Sequence, residues 1–333
     1  MNAVLEAPVV QEISVSQLER VGGLPLMLRP QLDGMKVLDW AKASAESVER
    51  ILQENGALLL RGLPVHSSKQ FGDILTALFG EELIEYSYRS TPRTELRGNI
   101  YTATEYHADQ TIPQHNENAY ANNWAMRIGF LCMQPSESGG ATPIGDSRRV
   151  YEMIAPAVRE RFEQHGVKYV RNYSDIDLPW SEVFQTTERA DVERFCDANG
   201  IGYEWLPDNC LRTVQINPAT AIHPQTGESL WFNQAHLFHV SSLDPAVRDS
   251  LVKVLGEANL PRNTYYGDGS PIEEEALAQI RAVYDATKII FQWEKGDLLL
   301  LDNMMFTHGR EPYVGERKVL VGMARPQQHP AAA

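Results

Sequence analysis

From about residue 99 onwards the chain is a succession of short apolar runs: RIGFLCM, VKYVRNY, IGYEWL, LRTVQI, SLWFNQ, KIIFQW, GDLLLLDN and RKVLVGMA. Each has the length of a strand, and most are bounded by Gly, Pro, Asn or Asp, which supply turn conformations. Helical segments interrupt them: RRVYEMIAPAVRERFEQHG, DPAVRDSLVKVLGEA and PIEEEALAQIRAVYDA. The N-terminal third alternates the two signals. SAESVERILQENG has helical apolar spacing, stops at Gly56 and leads into the strand-like ALLLRG. SSKQFGDILTALFG is a second helix with serines to cap its start and a glycine to end it. Many short strands with helical insertions predict a mainly β (α+β) fold, a β-sandwich or jelly roll decorated with helices. Strict βαβ alternation is absent, and no GxGxxG or GKS/GKT loop follows a strand, which disfavours dinucleotide and P-loop functions.

The rest of the composition excludes further classes. A chain of 333 residues with 43% hydrophobic and 22% charged residues can bury a sizeable core. Its net charge of -14, with no Lys/Arg run, argues against a nucleic-acid partner. The start lacks a basic segment followed by an apolar core, and the longest apolar run, around LLLLD at 298–302, is too short to span a membrane. Cys132, Cys196 and Cys210 are dispersed and form no CxxC, which fits a reducing cytoplasm without a disulfide framework or structural zinc. The expectation is a soluble cytoplasmic protein, a single domain over residues 1–333 with a frayed tail at 329–333.

The chemistry concentrates in YHADQTIPQHNENAY, residues 106–120, where one small pattern occurs twice. His107 and Asp109, and likewise His115 and Glu117, place a carboxylate two residues after an imidazole. On a strand such residues share a face, so either pair can offer two ligands to one metal ion. Two imidazoles and one carboxylate make the facial triad of non-haem Fe(II) sites, which leaves open positions for a co-substrate and dioxygen. The third ligand must come from far along the chain. His308 in GDLLLLDNMMFTHGREPY is the candidate: LLLL reads as a fully buried strand, Asp302-Asn303 break it, and MMFTH resumes toward a rim. The other histidines read as structural. His236 and His239 in AHLFH lack an HExxH context, His223 lies in a turn-like HPQTGE, and His66 and His165 belong to the surface or a helix cap. These residues alone leave the choice between 107/109 and 115/117 nearly even.

An ordered set of motifs resolves it. HNE at 115–117, GGATPIGDSRRVY at 139–151, WFNQ at 231–234 and GDLLLLDNMMFTHGREPYVGERKVLV at 296–321 together resemble the taurine-dioxygenase-like family of Fe(II)- and 2-oxoglutarate-dependent oxygenases. Within it the likeness is to the branch containing the amino-acid β-hydroxylase of syringomycin biosynthesis. The resemblance implies a double-stranded β-helix (jelly roll) core with the N-terminal helix–strand segment packed on it. It also implies that His115, Glu117 and His308 hold the iron, with His107 and Asp109 in the segment covering the site. Thr142 matches the family's hydroxyl donor to the far carboxylate of 2-oxoglutarate. The cation beside it is expected to be Arg317, with Lys318 and Arg325 as the alternatives.

The activity implied is oxidative decarboxylation of 2-oxoglutarate to succinate and carbon dioxide, coupled to hydroxylation of an unactivated C–H. Related halogenases carry a small residue at the acid position, so Glu117 favours hydroxylation; desaturation or cyclisation share the same oxidant. The substrate implied is an amino acid or an amino-acid derivative, free or tethered to a carrier protein in natural-product biosynthesis. Glu105 is a candidate partner for its ammonium and Arg89 for its carboxylate. Readings from other classes are a cupin-like metal isomerase or hydrolase, which needs no keto acid, and a non-catalytic binding module.

Overall fold

A computed structural model describes residues 26–329, apart from Asp33, Ser87, Arg89, Pro92, Glu105 and Asp175. Its centre is a six-stranded sheet. The strands run in the order Leu26–Leu28, Ala57–Leu60, Leu298–Asp302, Asn123–Gln134, Lys318–Gln328 and Ile100–Thr102. Only the first pair is parallel. LLLL sits in the middle of this sheet, with Leu298–Leu301 fully buried. The alternation of strand side chains explains why all four are apolar. Leu298 and Leu300 join Leu58, Leu60, Leu131 and Leu320 in a core closed by Trp40, Ile51, Leu52, Phe71 and Ile74 of the N-terminal helices. Leu299 and Leu301 point the other way, into a second core with Ile128, Phe130, Val319, Val321, Ile144, Met305 and Phe306.

That second core joins the central sheet to a three-stranded sheet, Ile112–His115, Phe306–Arg310 and Ile144–Asp146. A separate antiparallel sheet (Arg262–Tyr266, Val167–Tyr173, Leu211–Asn217, Gly202–Trp205) packs with the later helices around Phe162, Tyr169, Trp231, Leu277 and Ile280.

The helices follow their sequence signals closely. Ser68–Phe79 begins at Ser67, whose side chain accepts from the Gln70 N–H, and ends at Gly80 in the left-handed conformation. Val37–Asn55 starts earlier than the expected SAESVERILQENG but stops, as expected, at a left-handed Gly56. RRVYEMIAPAVRERFEQHG is not one helix. Pro156 cannot donate to the ladder and disfavours helical backbone before it, so the segment splits into Ser147–Met153 and Pro156–His165. KIIFQW is not a strand either. It makes one bridge, Ile144 to Ile289, and spends its side chains on burial, with Phe291 and Trp293 in the second core. Among the described residues no helix is long and apolar enough to cross a membrane.

Candidate metal centre

The three-stranded sheet brings the distant histidine to the local pair. His308 lies opposite His115 in the antiparallel register, a cross-strand pair with ring centroids 4.6 Å apart. Glu117 arrives differently from the sequence expectation. The strand ends at His115, and Glu117 sits in the following turn, so strand alternation is not what aims it. Asn303 does that work. Its side-chain oxygen accepts from the Glu117 N–H at 2.7 Å, and its amide donates to the carbonyls of Glu117 (3.0 Å) and Ala125 (2.9 Å). The residue read as a strand breaker thus clamps one ligand-bearing turn five positions before it delivers the other ligand.

One ligand atom from each of His115, Glu117 and His308 lies within 4.8 Å of the others. The donor chemistry fits a divalent metal. The His115 Nδ1–H donates to the Pro113 carbonyl at 2.8 Å, which leaves Nε2 with its lone pair free. Burial, reinforced by the facing His308, pushes the His115 pKa down to about 4, so the ring is neutral at physiological pH, as ligation requires. Burial would raise the Glu117 pKa, but the Arg93 guanidinium and the two imidazoles outweigh it and hold the carboxyl well below the usual range. Arg93 donates to Glu117 Oε2 at 2.6 Å, and His308 Nε2 stands 3.4 Å from the same oxygen. Nδ1 of His308 is buried without a hydrogen-bond partner. His107 and Asp109 are exposed and outside this cluster. They lie on a strap, residues 106–110, whose carbonyls at Tyr106, His107 and Gln110 accept from Arg310 at 2.9, 2.5 and 2.8 Å.

A cavity beside the imidazoles is lined by Arg93, Phe130, Thr142, Arg310, Arg317 and Val319, among others. Arg317 reaches it by strand alternation: Val319, two residues on, lines the same cavity, while Lys318 between them is exposed and the pairing shifts register between Lys318 and Val319. Arg325 points elsewhere, bonding the Phe79 carbonyl and Glu49. Arg317 Nε donates to the Gly140 carbonyl at 2.9 Å and Nη2 to Thr142 Oγ1 at 3.3 Å. The GGAT motif makes this approach possible. Gly140 has φ +68°, and a Cβ there would lie 2.5 Å from Ser136 Oγ and 3.0 Å from Arg317 Cδ. Thr142 Oγ1 also accepts from Trp293 Nε1 at 3.0 Å. With two N–H groups on its oxygen, its own hydrogen is left to donate. Burial and the nearby Arg310 push the Arg317 pKa down to about 10, so it remains a cation at neutral pH.

The remaining expectations divide. Glu105 and Arg89 lie outside the described residues. His236 is structural, its Nε2–H donating to the Gln114 carbonyl at 3.0 Å and its ring stacking on Tyr284, and His239 bonds Ser241. His66 is exposed and His165 closes a helix. His223 is in its turn but is no ordinary loop residue: it is fully buried, with Nε2 3.0 Å from Asp302. Sequence reasoning missed Arg93, Asn303 and Trp293. One of three arginines in the polar stretch YSYRSTPRTELRG carries no signal of burial, whereas two polar residues closing a wholly apolar strand were a signal for Asn303.

Comparison with known proteins agrees with this geometry. The family model described as "Taurine catabolism dioxygenase TauD, TfdA family" matches residues 21–324. The dapdiamide synthesis protein DdaC of Enterobacter agglomerans is 41% identical over 284 residues, 85% of this chain and 86% of that protein. A clavaminate synthase-like protein of Arabidopsis thaliana is 30% identical over 296 residues, again 85% and 86% of the two chains. In fold, the chain is similar to PvcB, an Fe, alpha-ketoglutarate dependent oxygenase from an isonitrile synthetic pathway, with a TM-score of 0.54 at 16% identity over 92% of this chain and 89% of that one. The chain belongs to the taurine catabolism dioxygenase TauD, TfdA family, and is a dioxygenase dependent on iron and 2-oxoglutarate.

Proposed function

We propose that the protein hydroxylates an unactivated C–H of an amino acid or amino-acid derivative in natural-product biosynthesis, releasing succinate and carbon dioxide. The observation that carries the reading is the meeting of His115, Glu117 and His308 within 4.8 Å of one another beside a cavity lined by Arg317 and Thr142. The dapdiamide-synthesis relative supports a biosynthetic setting. The two sheets that share the second core are read as the jelly roll, in keeping with the fold of PvcB.

In this reading His115, Glu117 and His308 hold Fe(II), which with 2-oxoglutarate and dioxygen supplies the oxidising power for C–H cleavage. The protein's part is placement. Pro113 fixes the His115 tautomer, and Asn303 fixes the Glu117 turn. Arg317 and the Thr142 hydroxyl take the far carboxylate of 2-oxoglutarate, a guanidinium–carboxylate pairing strengthened by burial. Phe130 and Val319 keep the neighbouring wall apolar and exclude water. Glu117 occupies the position that a halide would need, so the chain hydroxylates rather than halogenates.

The test is product analysis with free and carrier-loaded amino acids. One substrate should gain a single oxygen atom, with succinate formed in equal amount and only when Fe(II) is present. Substrate loss of two hydrogens without oxygen gain would replace hydroxylation by desaturation or cyclisation. Turnover without 2-oxoglutarate would remove the proposal altogether.

A further inference from the structure

Arg93 has more hydrogen-bonding capacity than the protein uses. Its residue is 6% exposed, one Nη is committed to Glu117, and its guanidinium lies 4.5 Å over the Tyr86 ring. Nε and the other Nη are buried with no hydrogen-bond partner. Leaving two N–H groups of a buried cation unsatisfied is costly, and proteins keep such an arrangement where a ligand completes it. Arg93 lines the same cavity as His115 and His308, which also holds Arg317 and Thr142.

The charges point the same way. Arg310 is committed to three backbone carbonyls. Arg93, Arg310, Arg317 and a divalent metal face one carboxylate among the described residues of the cluster, Glu117, since bonds to neutral carbonyls leave the charge of Arg310 in place. The dianion 2-oxoglutarate neutralises about half of that excess and leaves about two positive charges to be matched in a buried space.

We propose that Arg93 is the anion subsite for the organic substrate, taking a carboxylate of that substrate beside the metal while 2-oxoglutarate occupies Arg317 and Thr142. The inference rests on the metal-centre reading above and deepens it. A carrier-tethered amino acid has its α-carboxyl in the thioester, so the anion at Arg93 is the carboxylate of a free amino acid or an acid elsewhere on a tethered substrate. With Nη2 held by Glu117, the carboxylate is met by the remaining N–H groups and the charge of the guanidinium, and the bond to Glu117 ties substrate arrival to the orientation of a metal ligand.

The test uses the full chain loaded with Mn(II) and saturating 2-oxoglutarate, with carboxyl-labelled ¹³C-acetate as the probe. The wild-type protein should give a saturable paramagnetic relaxation of the acetate carbon. In Arg93→Gln, measured at Mn(II) raised to saturate whatever metal affinity the lost ion pair with Glu117 leaves, the acetate affinity should fall at least about tenfold, while the 2-oxoglutarate affinity stays within about threefold. Arg93→Lys, which keeps the charge and loses the guanidinium N–H groups, should fall between the two. Equal acetate relaxation in wild type and Arg93→Gln, absence of any saturable relaxation in the wild type, or displacement of acetate by additional 2-oxoglutarate would each overturn the assignment. Loss of Mn(II) binding in both variants would also overturn it, by making Arg93 a positioning residue for Glu117 alone. The underlying reading fails separately: Mn(II) binding undiminished by His308→Ala would remove the metal centre whatever Arg93 does.

Discussion

Two buried polar clusters lie at opposite ends of the same short turn, and they are built to different standards. At one end Asp302 is enclosed on every side. Arg127 and His223 contact its Oδ2, and the N–H groups of Met304 and Met305 each donate to Oδ1 at 3.0 Å. Arg127 in turn reaches Glu49 at 2.7 Å, and His223 Nδ1 accepts the N–H groups of Gln225 and Thr226. None of these three buried side chains has an unpartnered buried polar atom. At the other end, around His115, Glu117 and His308, buried nitrogens of Arg93, Arg310 and His308 are left without partners. A satisfied network holds a fold in one arrangement, while an unsatisfied one keeps its bonds for something that binds. Asn303 stands between the two, passing the rigidity of the first to the second.

That contrast breaks most directly at Asp302. Asp302→Ala leaves Arg127 with Glu49 alone and takes away the acceptor of His223 and of two backbone N–H groups, and should lower unfolding free energy by about 3 kcal/mol in urea titrations. A loss under about 1 kcal/mol would mean that the network is not structural.

Acid should attack the other end. Burial lowers the pKa of His115 to about 4 and of His236 to about 3, against about 6.5 in an unfolded chain. The unfolded chain therefore takes up protons that the folded chain refuses. Stability of the metal-free protein should be full above about pH 6.5 and fall between pH 6.5 and 5, by about 2 kcal/mol for each imidazole. A pH-independent urea midpoint over that range would contradict the neutral, buried state of these rings.

Asn303→Ala tests the link between the clusters. Iron affinity should drop about 10- to 100-fold, read by equilibrium competition with a chelator, since the mutation frees the Glu117 turn without touching a ligand. An unchanged affinity would show that the turn holds itself. The smallest expected effect is at the co-substrate wall. Gly140→Ala places a Cβ at positive φ against Ser136 and Arg317, and should raise the KM for 2-oxoglutarate up to about tenfold with iron affinity unchanged.

The same contrast explains what could be read from the sequence. LLLL announced a strand buried on both faces because apolar character has no exception there, and both cores do take alternate leucines. The Ser67 and Gly80 signals located a helix to the residue because caps act locally. The pairing of His308 with His115 was anticipated only through the resemblance; residue types and spacing left 107/109 equally eligible. Two-residue periodicity does set Arg317 on the face of Val319 and apart from Lys318, but it does not foretell that Arg317 meets Thr142 across the Gly140 turn. Nor does anything local in KIIFQW say that Trp293 will spend its N–H on Thr142 rather than its backbone on a ladder. Asp302 and Asn303 looked like punctuation, and their side-chain bonds reach back 175, 79 and 186 residues to Arg127, His223 and Glu117.

The most direct measurement of the central claim is an anaerobic titration of the metal-free protein with Fe(II) and 2-oxoglutarate, followed by visible absorption. The wild-type chain should develop the metal-to-ligand charge-transfer band of a chelated keto acid with one iron per chain, and His308→Ala should not. An equally strong band in His308→Ala, or none in the wild type, would contradict a metal centre built from His115, Glu117 and His308.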